Sequence, residues 1–188
     1  MKLSLLSLFS LAACTIATAI PANIESRQAR RDPVQYNIDR VTAAVNNLNK
    51  VLAVGPGNDG SSATTYFQNS LNANKILIDE LRAGTGEIKQ VKGIYEAQAL
   101  SIVLPVTSIV NSISTAATTW TKNKKAAVYV GAHNAVIDSI TLLQAEAAGF
   151  VQAILDQENF FNSGVGSYTW VPSITTAYTT AIREYRKP

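Results

Sequence analysis

The chain has 188 residues, one cysteine, one histidine and a formal net charge of +3. Lys2, Arg27, Arg30 and Arg31 against Glu25 account for all of that excess, so the remainder of the chain is formally neutral. This balance gives no electrostatic reason to expect nucleic acid or an anionic membrane as a partner. A single cysteine also excludes an intramolecular disulfide framework, so a conventional hydrophobic core is expected to stabilise the fold.

The N-terminal segment has the pattern of a secretory leader. Lys2 precedes an apolar run over 3–13, and the Ala-Thr-Ala sequence at 17–19 is typical of a signal-peptidase site. The run is too short to span a membrane comfortably. We therefore predict that 1–19 is a signal peptide and that the protein is secreted and extracellular.

The adjacent pair Arg30-Arg31 predicts a second processing step. Such dibasic pairs are cut by furin-like proteases in eukaryotic secretion, so 20–31 is interpreted as a pro-segment and 32–188 as a single helical domain. The alternative interpretation takes the Leu-Ala-Ala-Cys sequence at 11–14 as a bacterial lipobox with an acylated cysteine, which leaves the dibasic pair unexplained. No transmembrane segment is expected in the mature chain.

The first predicted helix begins at Asp32-Pro33, because an aspartate followed by a proline is typical of a helix start. Apolar residues then recur at alternating spacings of four and three from Val34 to Leu52, which predicts an amphipathic helix. The glycines and the proline at 55–60 predict a loop.

The second predicted helix starts near 61–62 and presents an apolar face over 67–81. Two glycines within 83–86 lower the helix propensity, so we expect a bend there and a helix end near Gly93.

The third predicted helix, about 94–120, is the element around which we expect the fold to be organised. It carries no charge from Ala97 to Trp120, and aliphatic residues cover most of its circumference, so it is predicted to be enclosed by other helices. Pro105 cannot donate a hydrogen bond to the carbonyl of Ser101, which predicts a kink. A kink leaves space beside the helix, either for a ligand or for repacked side chains.

A long fourth helix is predicted after 122–125, and Pro172 is placed at the start of a last helix. Between them, 159–171 carries glycines and aromatic residues that interrupt the helical pattern. No comparable stretch alternates with a period of two. The predicted fold is therefore an all-α bundle of about five helices around the central, Pro-kinked third helix.

Two stretches resemble a known family: Ala-Gly-Thr-Gly-Glu-Ile at 83–88, and Glu-Ala-Gln-Ala-Leu-Ser-Ile-Val-Leu-Pro-Val at 96–106. They are similar to the fungal hydrophobic surface-binding protein and cell-wall galactomannoprotein family, and the similarity in helix order covers nearly all of 32–188. The resemblance implies a secreted fungal helical domain without enzymatic activity. It also implies one of two roles, because some members adsorb to hydrophobic surfaces and recruit hydrolases, whereas others sequester fatty acids such as arachidonic acid in an apolar tunnel.

The chain departs from the family pattern in two respects. It has no Ser/Thr-rich wall-anchoring tail, so permanent attachment to the cell wall is not expected from the sequence. The aromatic segment at 160–170 matches no motif of the family.

Catalytic chemistry finds little support in the sequence. His133 is the single histidine, and there is no GxSxG, HExxH or paired-cysteine motif. A lone histidine in a helix is usually a packing or surface residue, and a soft-metal site needs clusters of histidine, cysteine or methionine. We therefore predict no enzymatic activity, no metal and no cofactor; the resemblance implies a bound fatty acid as the ligand.

The third helix is the strongest indication of a lipid-binding core. Its aliphatic surface and alanine-rich neighbours are typical of apolar pockets, which carry a few polar groups to orient a ligand head. The competing interpretation is a well-packed core in which alanines allow close helix approach. The predicted apolar lining consists of Leu77, Leu81, Leu100, Val103, Leu104, Val110, Ile137, Ile140, Leu143, Val151 and Ile154.

Three hydroxyl-bearing residues are the predicted ligands of a fatty-acid head group: Ser101, Thr107 and Ser108. A buried carboxylate without a cationic partner is costly. The head is therefore expected near the mouth of the tunnel or in its protonated form.

Four aromatic residues, Phe160, Phe161, Tyr168 and Trp170, indicate a further role. On an exposed loop they would form an apolar patch suited to hydrophobic surfaces, whereas packed over one end of the bundle they would form a plug or a lid. The predicted function is a secreted, non-enzymatic lipid-binding protein that sequesters a long-chain, arachidonate-like fatty acid in an apolar cavity between helices. The alternative is an adhesion protein that coats apolar surfaces and recruits hydrolases. The predicted partners are a long-chain fatty acid or another lipid, and hydrophobic surfaces or the cell wall.

Overall fold

The computed structural model describes residues 32–94, 96–157 and 169–187. These residues belong to one compact unit and form helices without any strand, which confirms the predicted all-α class. In the described part of the chain there are six helices: α1 Pro33–Val54, α2 Gly60–Ile88, α3 Glu96–Lys122, α4 Lys124–Tyr129, α5 His133–Leu155 and α6 Trp170–Arg186.

Side-chain caps set the first residues of α1 and α2. The Asp32 carboxylate accepts a hydrogen bond from the backbone N–H of Val34 at 2.9 Å, and Pro33 is the first helical residue, as the sequence predicts. At α2, the Asp59 carboxylate accepts from the hydroxyl of Ser62 at 2.6 Å and from its backbone N–H at 2.8 Å. These two hydrogen bonds hold the pKa of Asp59 below its usual value.

The helix α2 continues without interruption through the predicted bend, from Gly60 to Ile88. Packing against α5 explains the glycine at position 84, because a Cβ at Gly84 would lie 2.8 Å from Cε2 of Phe150. The missing side chain therefore lets the Phe150 ring pack directly against α2. The low helix propensity of glycine is outweighed by this contact between the two helices.

The five long helices close into a ring. Each packs mainly on two others, so that the order around the ring is α1, α2, α5, α6, α3 and back to α1. The short α4 contacts α2, α3 and α5. The third long helix, α3, is therefore one member of the ring, and its position differs from the central one that its sequence predicts.

Side-chain hydrogen bonds join every neighbouring pair in the ring. Each bond links one side chain to a polar group on the next helix, at 2.6 to 3.1 Å: Asn37 to Glu87, Asn74 to Ser139, Gln144 to Thr179, Tyr178 to the Ile113 carbonyl, and Asn49 to the Ser112 carbonyl. Where such a bond is buried, as between Tyr178 and the Ile113 carbonyl, a mispaired helix would leave a polar group without a partner, so the bond favours the observed neighbours.

The helix α3 buries one face against its neighbours α1 and α6 and exposes the other. Its buried residues are Ala99, Ile102, Val106, Ile109, Val110, Ile113, Ala116, Ala117 and Trp120. Leu100 and Leu104 are 54% and 78% exposed, and the helix runs unbroken through Pro105. Ala97–Lys122 also has the length and composition of a membrane span, and 39% of its most apolar 18-residue stretch is buried within the protein.

The centre of the ring is filled by large side chains. Five helices spaced about 8 to 10 Å apart lie about 7 to 8.5 Å from the ring centre, against about 6 to 7 Å for four helices in a square. This wider centre is occupied by fully buried rings, among them Phe67, Trp120, Phe150, Tyr178 and Tyr185. The hydroxyls of Tyr178 and Tyr185 donate to the carbonyls of Ile113 and Trp120 on α3, so their polar atoms remain satisfied.

Candidate functional site

Most of the aliphatic residues predicted to line a cavity belong to the single buried cluster of the ring. Leu77, Leu81, Val110, Ile140, Leu143, Val151 and Ile154 are buried. Val103 and Ile137 are partly buried and pack against the cluster, whereas Leu100 and Leu104 lie on the exposed face of α3. In the ring, α3 does not pack directly against α2 or α5. The buried residues of α3 and those of α2 and α5 can therefore meet only in the interior of the ring.

The three predicted head-group residues do not converge on the interior. Ser101 and Ser108 are exposed, and the Ser101 hydroxyl donates to the carbonyl of Gln98 at 2.7 Å. The Thr107 hydroxyl donates to the Val103 carbonyl at 2.8 Å and accepts from the indole N–H of Trp170 at 3.1 Å. Both hydrogen-bonding roles of Thr107 are therefore in use.

Of the four aromatic residues in the predicted lid or adhesion loop, the structure describes Trp170. Its ring is buried at the start of α6 and bonds to Thr107 on α3, so Trp170 contributes no exposed apolar surface. Phe160, Phe161 and Tyr168 lie outside the described residues.

A cavity of about 540 Å³ lies beyond the C-terminal ends of α2 and α5. It is lined by Lys89, Val91, Lys92, Gly93, Ala153, Asp156 and Gln157. The buried Gln157 carboxamide donates to the carbonyls of Ile88 and Ala153, each at 3.2 Å. Lys89 and Lys92 take part in none of the ion pairs among the described residues. The cavity, which we call the lysine cavity, thus carries two unpaired ammonium groups against one carboxylate.

A groove of about 650 Å³ lies between the C-terminal half of α1 and the N-terminal half of α2. Its lining residues are Asn47, Val51, Val54, Gly55, Gly57, Ser61, Ser62, Thr65, Tyr66, Asn69, Asn72, Ala73 and Ile76. None of these residues is charged. We call this site the α1–α2 groove, and the sequence patterns did not indicate it because its residues are spread over two helices and a loop.

The tyrosine in the groove wall is fixed by hydrogen bonds on α1 and beyond α3. Its hydroxyl donates to the Leu52 carbonyl at 3.3 Å and accepts from the Asn123 carboxamide at 2.6 Å. The Tyr66 ring meets the ring of Phe67 edge to face, with centroids 5.1 Å apart. Tyr66 therefore stands between the groove and the buried rings of the core. Burial raises the pKa of Tyr66.

The single histidine packs against the core. His133, at the first position of α5, meets the ring of Tyr185 edge to face, with centroids 5.6 Å apart. Within the described ranges, no group of three or more histidine, cysteine, aspartate or glutamate side chains is placed to hold a metal ion.

Several solved domains share this fold. Ligand-binding domain 2 of the MP1 protein of Penicillium marneffei, complexed with multiple arachidonic acids, is 20% identical with a TM-score of 0.70, and the match covers 85% of this chain and 99% of that domain. Domain 1 of the same protein, complexed with arachidonic acids, is 15% identical with a TM-score of 0.72, and the match covers 83% and 98%. AFMP4P in complex with palmitic acid is 13% identical with a TM-score of 0.70, and the match covers 81% and 99%.

No family model matches the sequence, and no curated protein matches it. The likeness to the solved domains therefore rests on structure, and at these identities it establishes the fold. It confirms at the level of the fold the resemblance that 83–88 and 96–106 suggest.

Proposed function

We propose that this protein is a non-enzymatic lipid-binding protein that holds a long-chain fatty acid, such as arachidonate or palmitate, inside its five-helix ring. The observation that carries the proposal is the closed ring, through whose apolar centre no helix of the described residues passes, a fold shared with domains solved in complex with these two fatty acids. Burying a methylene group contributes about 0.8 kcal/mol, so a long acyl chain contributes on the order of 10 kcal/mol. Binding also displaces side chains that fill the ring centre, which reduces the net gain.

The lysine cavity is the proposed position of the carboxylate. An ionised carboxylate inside the apolar ring would lack a partner, whereas Lys89 and Lys92 offer two ammonium groups at the end of the ring. Ala153 and Gln157 are both buried and belong to the wall of the cavity, so an acyl chain anchored there enters the ring past Gln157.

The proposed location is extracellular. Its support is the leader pattern of 1–19 and the dibasic pair at Arg30-Arg31. We further propose association with a fungal cell wall, on the basis of the family resemblance alone.

Adhesion to apolar surfaces remains the second candidate, because Leu100 and Leu104 are exposed one turn apart on α3. Adsorption of the protein onto hexadecane droplets, lost on replacing both leucines with serine, would favour this role over an internal ligand.

A substitution inside the ring tests the proposed function. Val110→Phe places a bulky ring in the buried cluster, so we expect it to weaken palmitate binding by about tenfold or more, measured by calorimetry on delipidated protein. Asn111→Phe adds the same ring on the exposed face of α3 and is expected to leave the affinity unchanged within about twofold. Equal affinities of the two folded variants would contradict binding inside the ring.

A further inference from the structure

We propose that the α1–α2 groove is a second ligand site, separate from the ring interior, which binds an uncharged lipid with a hydroxylated head group of the monoacylglycerol class. Its volume of about 650 Å³ lies within the range of small-molecule sites in proteins. The site is independent of the proposed fatty-acid function, because it shares no lining residue with the lysine cavity.

The length of the groove fits one acyl chain. Its lining residues on α2 extend from Ser61 to Ile76, a distance of about 22 Å at 1.5 Å per residue. An acyl chain in one leaflet of a bilayer spans about 15 Å of hydrocarbon, so it fits within the groove with space left for a compact head group.

Four apolar residues contribute lining for that acyl chain. Val51 and Val54 contribute it from α1, and Ala73 and Ile76 contribute it from α2. Val54 and Ile76 are among the most exposed large aliphatic residues of the described chain, at 81% and 44%. Covering them with an acyl chain removes apolar surface from water, which favours binding.

The polar groups beside these apolar residues select an uncharged head. Asn47, Asn69 and Asn72 carry carboxamides, and none of them forms a side-chain hydrogen bond in the described part of the chain. A carboxamide both donates and accepts, which matches glycerol hydroxyls that do the same, whereas a carboxylate can only accept. Ser61 and Thr65 add hydroxyls of the same character.

The charged groups nearest to the groove do not provide an anion site within it. Asp59 is engaged with Ser62, and Lys75 pairs with Asp79 at 2.6 Å. Lys50 is exposed on α1 next to the groove residue Val51, and it is not part of the lining. An ionised fatty acid therefore finds no cation among the groove residues.

Tyr66 keeps the groove distinct from the ring interior. Its hydroxyl is held by Leu52 and Asn123, and its ring is almost fully buried between the groove and Phe67. A lipid in the groove is thus bound at the surface between two helices, and it does not depend on opening the core.

Calorimetry with 1-monodecanoylglycerol and with decanoate tests the site. The folded wild-type protein is expected to bind the monoacylglycerol saturably. Ile76→Gln in the groove is expected to weaken this binding by about tenfold or more, and Thr65→Trp, which fills the groove, is expected to do the same. The matched control is Leu142→Gln on α5, because Leu142 is 43% exposed and lies outside the groove. Its affinity for the monoacylglycerol should stay within about twofold of wild type.

Three results would overturn the proposal. They are the absence of saturable monoacylglycerol binding, equal affinities in the Ile76→Gln and Leu142→Gln variants, and decanoate binding that is as sensitive to Ile76→Gln as monoacylglycerol binding. The Val110→Phe variant distinguishes the groove from the ring interior as the binding site. It is expected to leave monoacylglycerol binding intact, whether or not fatty acids enter the interior.

Discussion

Two glycines of α2, Gly84 and Gly86, differ in what surrounds the position of the missing side chain. Gly84 of α2 faces Phe150, with 2.8 Å between an ideal Cβ and the ring, whereas a Cβ at Gly86 meets no atom within 4 Å. Both residues have helical conformations, so the difference between them is one of packing. The sequence marks both as weak points of the helix, and only the position of α5 reveals which one is required.

Alanine substitutions at these two positions should therefore change stability in opposite directions. Gly84→Ala forces the buried Phe150 ring to move, which is expected to lower the free energy of unfolding by about 1 to 3 kcal/mol. Gly86→Ala gains helix propensity without a clash and is expected to raise it by about 0.5 to 1 kcal/mol. Urea denaturation of the two variants measures both values, and a Gly84→Ala variant as stable as Gly86→Ala would contradict the packing of α5 on α2.

The helices show what sequence patterns specify and what they leave open. The start of α1 follows from Asp32-Pro33, and the apolar periodicities predict that five long helices form. The predicted long fourth helix is instead divided into α4 and α5 at 130–132, and α6 begins at Trp170 and not at Pro172. The position of α3 does not follow, because a helix without charges looks enclosed even when Leu100 and Leu104 face outward. Which helices become neighbours depends on bonds such as Asn49 to Ser112, which join residues 63 positions apart.

The candidate binding sites were less predictable than the helices. The buried aliphatic residues of the predicted lining follow from periodicity, since the same pattern marks any core residue. The lysine cavity combines the turn after α2 with the end of α5, and the α1–α2 groove combines two helices with a loop. No local motif marks these sites, because each depends on how two helices pack against each other.

The two lysines of the lysine cavity allow a test of where the fatty-acid carboxylate binds. Lys89→Gln combined with Lys92→Gln is expected to weaken palmitate binding by about tenfold or more, because charge-assisted hydrogen bonds to the carboxylate are lost. Binding of hexadecanol, which has no charge, should change by less than about twofold. The control is the double variant Lys50→Gln and Lys125→Gln, which removes two exposed lysines outside the cavity. Equal palmitate affinities in the two double variants would exclude the lysine cavity as the carboxylate site.

At the scale of the whole molecule, the tyrosines of the core make stability sensitive to alkaline pH. Burial raises the pKa of Tyr66, Tyr178 and Tyr185 in the folded protein, and the proximity of Tyr66 adds to the rise at Tyr185. In the unfolded chain a tyrosine titrates near about pH 10. Above that pH the unfolded chain releases protons that the folded chain retains, so the free energy of unfolding decreases as the pH rises.

The contribution of these tyrosines to the free energy of unfolding is therefore expected to be constant below about pH 10 and to decrease above it. Urea denaturation at about pH 8 and about pH 11 should show this decrease, and Tyr178→Phe should make it smaller because one buried phenol no longer titrates. A decrease of the same size in Tyr178→Phe would show that this phenol does not contribute to the alkaline loss.

The closed ring of five helices is the feature on which the proposed function depends. Native mass spectrometry of the purified protein, delipidated under denaturing conditions, refolded and then titrated with arachidonate and palmitate, tests it most directly. A folded chain that takes up fatty acid to a defined, saturable stoichiometry is the predicted result. A folded chain that retains no fatty acid and shows no saturable uptake at any concentration below micelle formation would contradict the account.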